Sequence, residues 1–446
     1  MTNGEKYDLL ADGETGLPSA MGILAFDQAF KYTTEQIENS LRKNKDFEVI
    51  SFGPMPEVDD FAEQAFNLTV NYQDEEYNVE LFVNKADNLD LRNYGFANQV
   101  AEEDMDMATK QEYFLETSMF FGDDALTSFH LQLKIMLAIV PDASLIIDFM
   151  SYRLLSAQWG KMTAKSPTPP SPDYLYSSHV IYDGEGEDKK YWFHTHGLHR
   201  CGSVELEMLN IGSGAQQMND LLNMVVKKFI SSPTKEKEKF TIGYDGMGIV
   251  LSWLRWEEAL NDFPKDILGG MADRDGEGNV HAEPTGVLFA VEDNNMVSPE
   301  IFASTLADNP IFYISTEETE RMSALARERF AYFETVFRKE GKKEKQSFLK
   351  KIFAKKEEEE SWSFLVKLGL TVDDDQSGTE KEHLWYEVVS IDNEMIKGKL
   401  LNQPYWISNL NEGDVKTYPV ELLTDWLIYA PDATYTTDTI YQLGFS

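Results

Sequence analysis

Alternating apolar and polar positions predict a β-hairpin near the start of the chain. Two runs of apolar residues recur at every second position: Phe66, Leu68, Val70 and Tyr72, then Tyr77, Val79, Leu81 and Val83. A period of two is typical of strands that are buried on one face, and the acidic residues between the runs fit a turn. The pattern therefore predicts a half-buried hairpin.

Helical patterns flank this hairpin. Thr33 followed by Gln36 is a capping-box pattern that opens a short helix with Ile37 and Leu41 on one face. Dense apolar content predicts two more helices, Ala108–Phe121 and Ala125–Val140, and "SLIIDFMSYRLLSAQWG" continues as a helix or a strand pair. Residues 1–165 are therefore predicted to form an N-terminal α+β domain.

A proline-rich segment, "KSPTPPSP", separates this domain from the next. Four prolines in six positions favour an extended connector. The central α+β domain, residues 173–337, opens with a predicted hairpin formed by "HVIY" and "YWFHTH". A helix from Ser213 or Gly214 follows, then strands in "KFTIGYDG", "TGVLFAVED" and "NPIFYIST", and a long helix over Glu317–Phe337.

A charged segment, residues 338–360, forms a predicted helical linker. Its apolar residues share one helical face, and lysines surround them. A basic amphipathic helix can bind a membrane surface or a calmodulin-like protein. We favour an interdomain helix whose cations are neutralised by the acidic surface of the protein itself. Residues 361–446 then read as a small, mostly β C-terminal domain, so the predicted fold is multidomain α+β with antiparallel sheets and covering helices.

Charge narrows the classes of partner. The chain of 446 residues has 40 Lys and Arg against 77 Asp and Glu, a net charge of −37. Binding to nucleic acid or to an anionic membrane needs clustered cations, so neither is expected. An acidic surface instead favours a basic protein partner. A single cysteine, no signal-peptide pattern and no apolar run long enough for a bilayer predict a cytoplasmic protein.

The stretch "FHTHGLHRCG" contains three of the seven histidines and the only cysteine. His194 and His196 are two positions apart, so they project from one face of a strand and can chelate one zinc ion. Cys201 is the predicted third ligand, with His199 also within reach in the sequence. Glu205 or Glu207 would be the general base beside a zinc-bound water.

No standard zinc pattern fits this stretch. The JAMM-type metalloprotease signature, His-x-His, seven residues, Ser, two residues and Asp, comes nearest. Here Ser203 arrives one position early, and Leu206 occupies the place of the aspartate. The alternative interpretation is therefore a strand, a turn at Gly197 and a second strand, "SVELEML", with no metal.

Two other motifs resemble binding loops. "DRDGEGNV" resembles the start of an EF-hand, but its twelfth position is Pro284 in place of the bidentate glutamate, so we favour an acidic loop before a strand. "GSGAQQ" lacks the lysine and the third glycine of phosphate loops and is read as a turn with a helix cap. The remaining histidines, His130, His179, His281 and His383, are read as isolated.

The last part of the chain resembles a known family. "HLWYEV", "GKLLNQP", "EGD" and "TDW" are similar to the motifs of the bacterial family called domain of unknown function 2314. The first two domains, including "HTHGLHRCGSVELEML", resemble domain of unknown function 4026, found in Firmicutes. These resemblances imply no established reaction, and they leave open whether the protein is an enzyme.

Two hypotheses follow. The first is a non-enzymatic protein that needs no cofactor and acts by protein–protein contact, for example by immunity-like capture of a basic partner. The alternative is a zinc-dependent hydrolase that uses His194 and His196. The sequence carries no signal for an oligomeric state.

Overall fold

The computed structural model describes residues 3–11, 16–56, 62–94, 96–98, 100–243, 248–276, 278–308, 316–351, 362–373 and 380–444. The chain forms two compact units. The first comprises residues 1–165 and 170–313, and the second comprises residues 166–169 and 314–446. Within the described residues, no helix combines the length and apolar character needed to cross a membrane.

The first unit contains an eight-stranded sheet in its N-terminal half. Its helices are α1 Asn3–Ala11, α2 Thr34–Lys43, α3 Glu102–Ala108, α4 Ala125–Ile139 and α5 Ala157–Lys165. Its strands are β1 Ser19–Ala25, β2 Glu48–Pro54, β3 Ala62–Tyr72, β4 Glu75–Lys85, β5 Phe96–Asn98, β6 Tyr113–Met119, β7 Ala143–Asp148 and β8 Arg153–Ser156. The strand order is β2-β3-β4-β6-β1-β7-β8-β5, and neighbours are antiparallel except β8 and β5.

A seven-stranded sheet follows in the same unit. Its strands are β9 Ser177–Asp183, β10 Lys190–His196, β11 Glu205–Ile211, β12 Phe240–Ile242, β13 Ile249–Arg255, β14 Thr285–Glu292 and β15 Asn295–Val297. Its helices are α6 Ala215–Ser231, α7 Trp256–Ala259 and α8 Ala303–Asp308. The order is β12-β13-β14-β11-β10-β9, with β15 on β14, and β11 and β14 are parallel. Buried residues of α1 and α6 belong to the same apolar core as those of this sheet.

The second unit contains a six-stranded antiparallel sheet and two helices. The helices are α9 Thr316–Glu328 and α10 Phe330–Lys351, and the strands are β16 Ser363–Thr371, β17 Lys381–Asp392, β18 Met395–Leu400, β19 Val415–Pro419, β20 Leu423–Tyr429 and β21 Thr434–Thr436. The order is β19-β18-β17-β16-β20-β21. Trp426 packs against Phe333 and donates its indole N–H to the carbonyl of Ala326, so the helices and the sheet share one core.

The predicted fold class is confirmed, and so are several of its elements. β3 and β4 form the predicted hairpin, with Phe66 opposite Leu81. The Thr33 hydroxyl accepts a hydrogen bond from the N–H of Gln36, as the capping pattern predicts. The β9–β10 hairpin and α4 are also present. α6 begins at Ala215, and Gly214, with φ of +62°, is its N-cap residue.

The helix predicted over Ala108–Phe121 is wrong. Helix α3 ends at Ala108, and the rest of that stretch forms strand β6, which lies between β4 and β1. Leu115, Thr117 and Met119 are buried at every second position, which is the period of a strand. Pairing on both sides therefore outweighs the apolar content that favoured a helix.

The long helix predicted over Glu317–Phe337 is also wrong, because it is two helices. They meet at Arg329, which is buried and donates to the carbonyl of Thr437. The strand predicted in "NPIFYIST" falls, except for Thr316, on residues 309–315, which lie outside the described residues. Residues 352–360 of the predicted linker also lie outside them. The domain boundaries at 165, 173, 337 and 361 stay a prediction.

A buried ion pair links the two sheets of the first unit. Arg200, in the loop after β10, donates from Nη1 and Nη2 to the two oxygens of Asp148, at the end of β7, at 3.0 and 2.6 Å. Both side chains have no solvent exposure. Arg200 also donates to the carbonyl of Leu175 and to the hydroxyl of Ser19. A desolvated pair of this kind keeps its geometry only while every partner stays in place.

We predict that Asp148→Ala lowers the free energy of unfolding by about 3–5 kcal/mol, because it leaves the Arg200 guanidinium buried without its counter-ion. Urea unfolding measures the change. The matched control is Asp142→Ala, which removes the partly exposed pair with Lys161 and is expected to cost less than about 1 kcal/mol. Equal costs for the two variants would contradict the prediction.

We also predict a pH-dependent gain in stability from Asp425→Asn. Burial raises the pKa of Asp425 to about 6, from an ordinary value of 3.8. The folded state therefore binds a proton more tightly than the unfolded chain, so the stability from this group is lost as pH rises from about 4 to 6. The variant should be more stable than wild type by about 1–3 kcal/mol at pH 7 and equal to it at pH 3.5. Urea unfolding at both pH values measures this, and a gain of the same size at both would contradict it.

Candidate metal centre

Three histidines meet on one face of the β9–β10 hairpin. His194 and His196 project from the same face of β10, and the antiparallel register places His179 of β9 directly opposite His194. One ring nitrogen from each of His179, His194 and His196 lies within 4.8 Å of the others. The hairpin thus supplies three imidazoles from a rigid two-stranded frame.

A fourth imidazole reaches the same place from another element. His281 lies in a short 3-10 turn, Val280–Ala282, just before β14. Its ring centre is 4.7 Å from that of His194 and 5.5 Å from that of His196. The indole of Trp192 packs against His194 and His281, at 4.4 and 4.8 Å. Four of the seven histidines of the chain therefore form one cluster.

The cluster is uncharged at neutral pH. Burial, together with the neighbouring imidazoles, lowers the pKa of His194 to about 2 and that of His196 to about 3. Burial lowers the pKa of His179 to about 4, and it also lowers the pKa of His281. Neutral imidazole is the form that binds metals, because its ring keeps one unprotonated nitrogen.

His194 carries an unsatisfied polar atom. Its side chain is 3% exposed, and among the described residues nothing forms a hydrogen bond with its Nδ1. His179, in contrast, bonds through Nε2 to the hydroxyl of Ser177 at 2.9 Å. Buried polar atoms without partners are rare in proteins and raise the free energy of the folded state.

A buried carboxylate lies next to the histidines, in the neighbouring strand. Glu207 of β11 is opposite His194 in the sheet and is buried. Its oxygens accept hydrogen bonds from Arg274 at 2.7 and 2.8 Å and from the indole N–H of Trp192 at 2.8 Å. Burial raises the pKa of Glu207, and the Arg274 cation opposes that shift. These hydrogen bonds to Arg274 and Trp192 hold the Glu207 carboxylate in a fixed position.

The other predicted base, Glu205, holds the loop after β10. Its Oε1 accepts the N–H groups of Gly197 and Leu198 at 2.7 and 2.9 Å, and its Oε2 accepts the hydroxyl of Thr195 at 2.7 Å. Gly197 has φ of +113°, and a Cβ there would lie 2.4 Å from the carbonyl oxygen of Leu175. Only glycine fits, so this turn fixes where β10 ends.

Cys201 and His199 are not members of the cluster. The group of close ligand atoms among the described residues contains His179, His194 and His196 without Cys201. Burial raises the pKa of the Cys201 thiol to about 12, so it is not ionised at neutral pH. His199 bonds through Nε2 to the carbonyl of Pro284 at 2.8 Å. Cys201 as a zinc ligand stays a prediction without support from this geometry.

The reading of His179 and His281 as isolated is wrong. His179 could have been found by counting outwards from the centre of the predicted hairpin turn, since that register pairs residue 179 with residue 194. His281 is brought in by a loop 85 residues along the chain from His196, and no local pattern indicates that contact. His130 and His383 do stand apart, bonded to the Thr163 carbonyl and the Thr424 hydroxyl.

The acidic loop "DRDGEGNV" does not form a cluster of ligands in the residues that the structure describes. Asp273 accepts a hydrogen bond from the N–H of Gly269, and Asn279 donates to the carbonyls of Asp273 and Asp275. Glu277 lies outside the described residues. The loop leads into strand β14, as the sequence predicts.

Family comparison covers most of the chain. Residues 19–170 match the N-terminal model, and residues 178–289 the C-terminal model, of "Protein of unknown function (DUF4026)". The chain belongs to the DUF4026 family. Residues 317–444 match "Uncharacterized protein conserved in bacteria (DUF2314)". No curated protein and no solved structure matches the chain. All four histidines of the cluster lie within the C-terminal DUF4026 region.

Proposed function

We propose that this protein binds a zinc ion through His179, His194 and His196. The observation that carries the proposal is the approach of one nitrogen from each ring to within 4.8 Å of the others. Two ligands on a tetrahedral zinc ion lie about 3.4 Å apart, given zinc–nitrogen distances near 2.1 Å. A movement of about 1 Å by these side chains would therefore be enough to close the set around an ion.

The alternative, an ordinary histidine-lined core, accounts less well for the cluster. Several desolvated imidazoles stand face to edge with one another, and Nδ1 of His194 has no partner among the described residues. Apolar side chains would stabilise a buried core more than histidines do, because each buried polar atom must form a hydrogen bond. A bound cation would satisfy Nδ1 of His194.

Zinc suits the donor set. Imidazole nitrogen is a borderline ligand that favours zinc, copper and nickel over calcium or magnesium, which prefer oxygen. Glu207, held by Arg274 and Trp192, lies opposite His194 in the sheet and places a buried carboxylate next to the proposed ligands.

Hydrolysis, the alternative predicted from the sequence, lacks an assigned base. A zinc hydrolase needs a carboxylate that is free to take a proton from the metal-bound water. Both oxygens of Glu205 and both oxygens of Glu207 accept hydrogen bonds within the protein. We therefore propose metal binding itself as the function of this site.

We predict that the protein purified without a histidine tag contains close to one zinc ion per chain by elemental analysis. His196→Gln, which keeps a polar side chain of similar size, should lose the metal. Added zinc should raise the melting temperature of the wild type only, because a ligand stabilises the state that binds it, by about 4 kcal/mol at 1,000 times Kd. His383→Ala, in the second unit, is the matched control and should bind like the wild type. Metal content that is unchanged in His196→Gln would overturn the proposal.

A second function, binding of a partner protein, is favoured by a loop of the second unit. Tyr405 is 88% exposed and Trp406 is 42% exposed. Their backbone N–H groups donate to Glu382 at 2.8 and 3.0 Å, and Ser408 donates twice to Asp373 at 2.7 Å. The loop is thus braced while its aromatic side chains face solvent.

Exposed aromatic residues on a braced loop are typical anchors of protein interfaces, since they bury a large area at small entropic cost. The carboxylates of Glu382 and Asp373 bond to this loop, and the chain has a net charge of −37. Both features favour a basic partner. The same features support the interaction hypothesis drawn from the sequence.

We predict that Tyr405→Ala weakens capture of a basic partner by at least tenfold without changing the melting temperature, because Tyr405 contributes little to packing. Copurification from cell extract at low and high salt identifies the partner, and titration measures its affinity. Val415→Ala, also exposed on this unit, is the control. A basic partner that binds the Tyr405→Ala variant as tightly as the wild type would contradict the prediction.

A further inference from the structure

The backbone of His281 is held from both sides. Its N–H donates to Oδ1 of Asn279 at 3.0 Å, and its carbonyl accepts a hydrogen bond from Nη1 of Arg274 at 2.6 Å. Asn279 in turn donates to the carbonyls of Asp273 and Asp275. The position of this ring beside His194 is therefore built by specific contacts.

Arg274 connects His281 to the sheet that carries the other histidines. The side chain is 4% exposed and donates from Nη2 to both oxygens of Glu207, which lies opposite His194. Its Nε also bonds to the carbonyl of Gly269 at 3.0 Å. Its guanidinium lies over the rings of Trp256 and Trp192, at 4.8 and 5.8 Å. One planar cation thus fixes the distance between the loop and the strands.

We propose that His281 is the fourth ligand of the metal, and that Arg274 is the positioning residue that holds it there. The inference rests on the proposed zinc binding by His179, His194 and His196. Zinc in a closed site takes four ligands in a tetrahedron, and His281 is the histidine from outside the hairpin whose ring packs against His194 and His196. Its nitrogens lie outside the set of three that are within 4.8 Å of one another, so its ring would move inward to bind. Its ring centre is already as near to His194 as the ring centres of the hairpin histidines are to one another.

A closed set of four imidazoles has a definite chemical consequence. It leaves no coordination position for water or for a small anion, so a substrate could not coordinate the metal. This agrees with the engagement of Glu205 and Glu207 in structural hydrogen bonds. Arginine suits the positioning role because its planar fork bonds Glu207, Gly269 and His281 from three separate nitrogens in fixed directions, whereas a lysine ammonium donates from a single nitrogen.

Cobalt(II) replaces zinc and reports its coordination through visible absorption bands, so it tests the proposal on the full-length protein. The wild type should show the intense bands of a four-coordinate site and no change on addition of azide. His281→Ala removes a direct ligand and should bind cobalt roughly 100-fold more weakly than the wild type. This loss of affinity equals or exceeds the largest one expected when a residue that only hydrogen-bonds to a ligand is removed. Its bands should shift with azide, which enters the vacated position.

Arg274→Lys tests the positioning role. We expect it to weaken cobalt binding by roughly tenfold and to give an intermediate response to azide, since His281 remains but is no longer held. His383→Ala should match the wild type in every measurement, and circular dichroism confirms that each variant is folded. A lysine variant that binds cobalt like the wild type would overturn the role of Arg274.

The outcomes separate this inference from the proposed function. Wild-type protein that binds neither zinc nor cobalt overturns both. Wild-type protein that binds cobalt but changes its bands with azide has an open position, which overturns the inference alone. The same holds if His281→Ala binds cobalt with wild-type affinity.

Discussion

The buried pair of Asp148 and Arg200 is the constraint on which the first unit depends. Two opposite charges without solvent contact are stable only in a fixed, hydrogen-bonded geometry. Nη1 and Nη2 of Arg200 donate to Asp148, Ser19 and Leu175, which belong to three different segments, while its Nε has no partner among the described residues. It follows His196 by four residues, so the same contacts that join the two sheets also fix the end of the strand that carries the histidines.

The candidate metal centre is a place where the sequence departs from what packing alone would select. The other face of β10 carries Phe193, which is buried in the apolar core of the second sheet. The face with His179, His194 and His196 instead buries polar rings at a cost in desolvation. Such local conflicts are expected at functional sites, where the rest of the fold offsets them. Here the pairing of β9 with β10 sets the spacing of the histidines, and the hydrogen bonds of Glu205 fix the end of β10.

Sequence patterns predict the parts of this fold that depend on local periodicity. The β3–β4 hairpin, the Thr33 cap and the pairing of β9 with β10 all follow from residues close together in the chain. Local periodicity does not predict β6, because its central place in the sheet is set by partners from distant segments. The break at Arg329 depends likewise on a carbonyl more than 100 residues away. The candidate site divides in the same way: His194 and His196 follow from spacing and His179 from register, whereas His281 needs the tertiary contacts of Arg274.

The state of Cys201, the single cysteine of the chain, bears on how its thiol meets oxidants. A thiol reacts with peroxide or a disulfide mainly as its thiolate, and burial keeps this one protonated. The proposed ligands are nitrogen atoms, which do not change oxidation state under such conditions. A protein of this design would keep its metal through oxidative stress that releases zinc from thiolate sites. Its metal occupancy would thus follow the supply of free zinc in its surroundings, independently of the thiol redox balance.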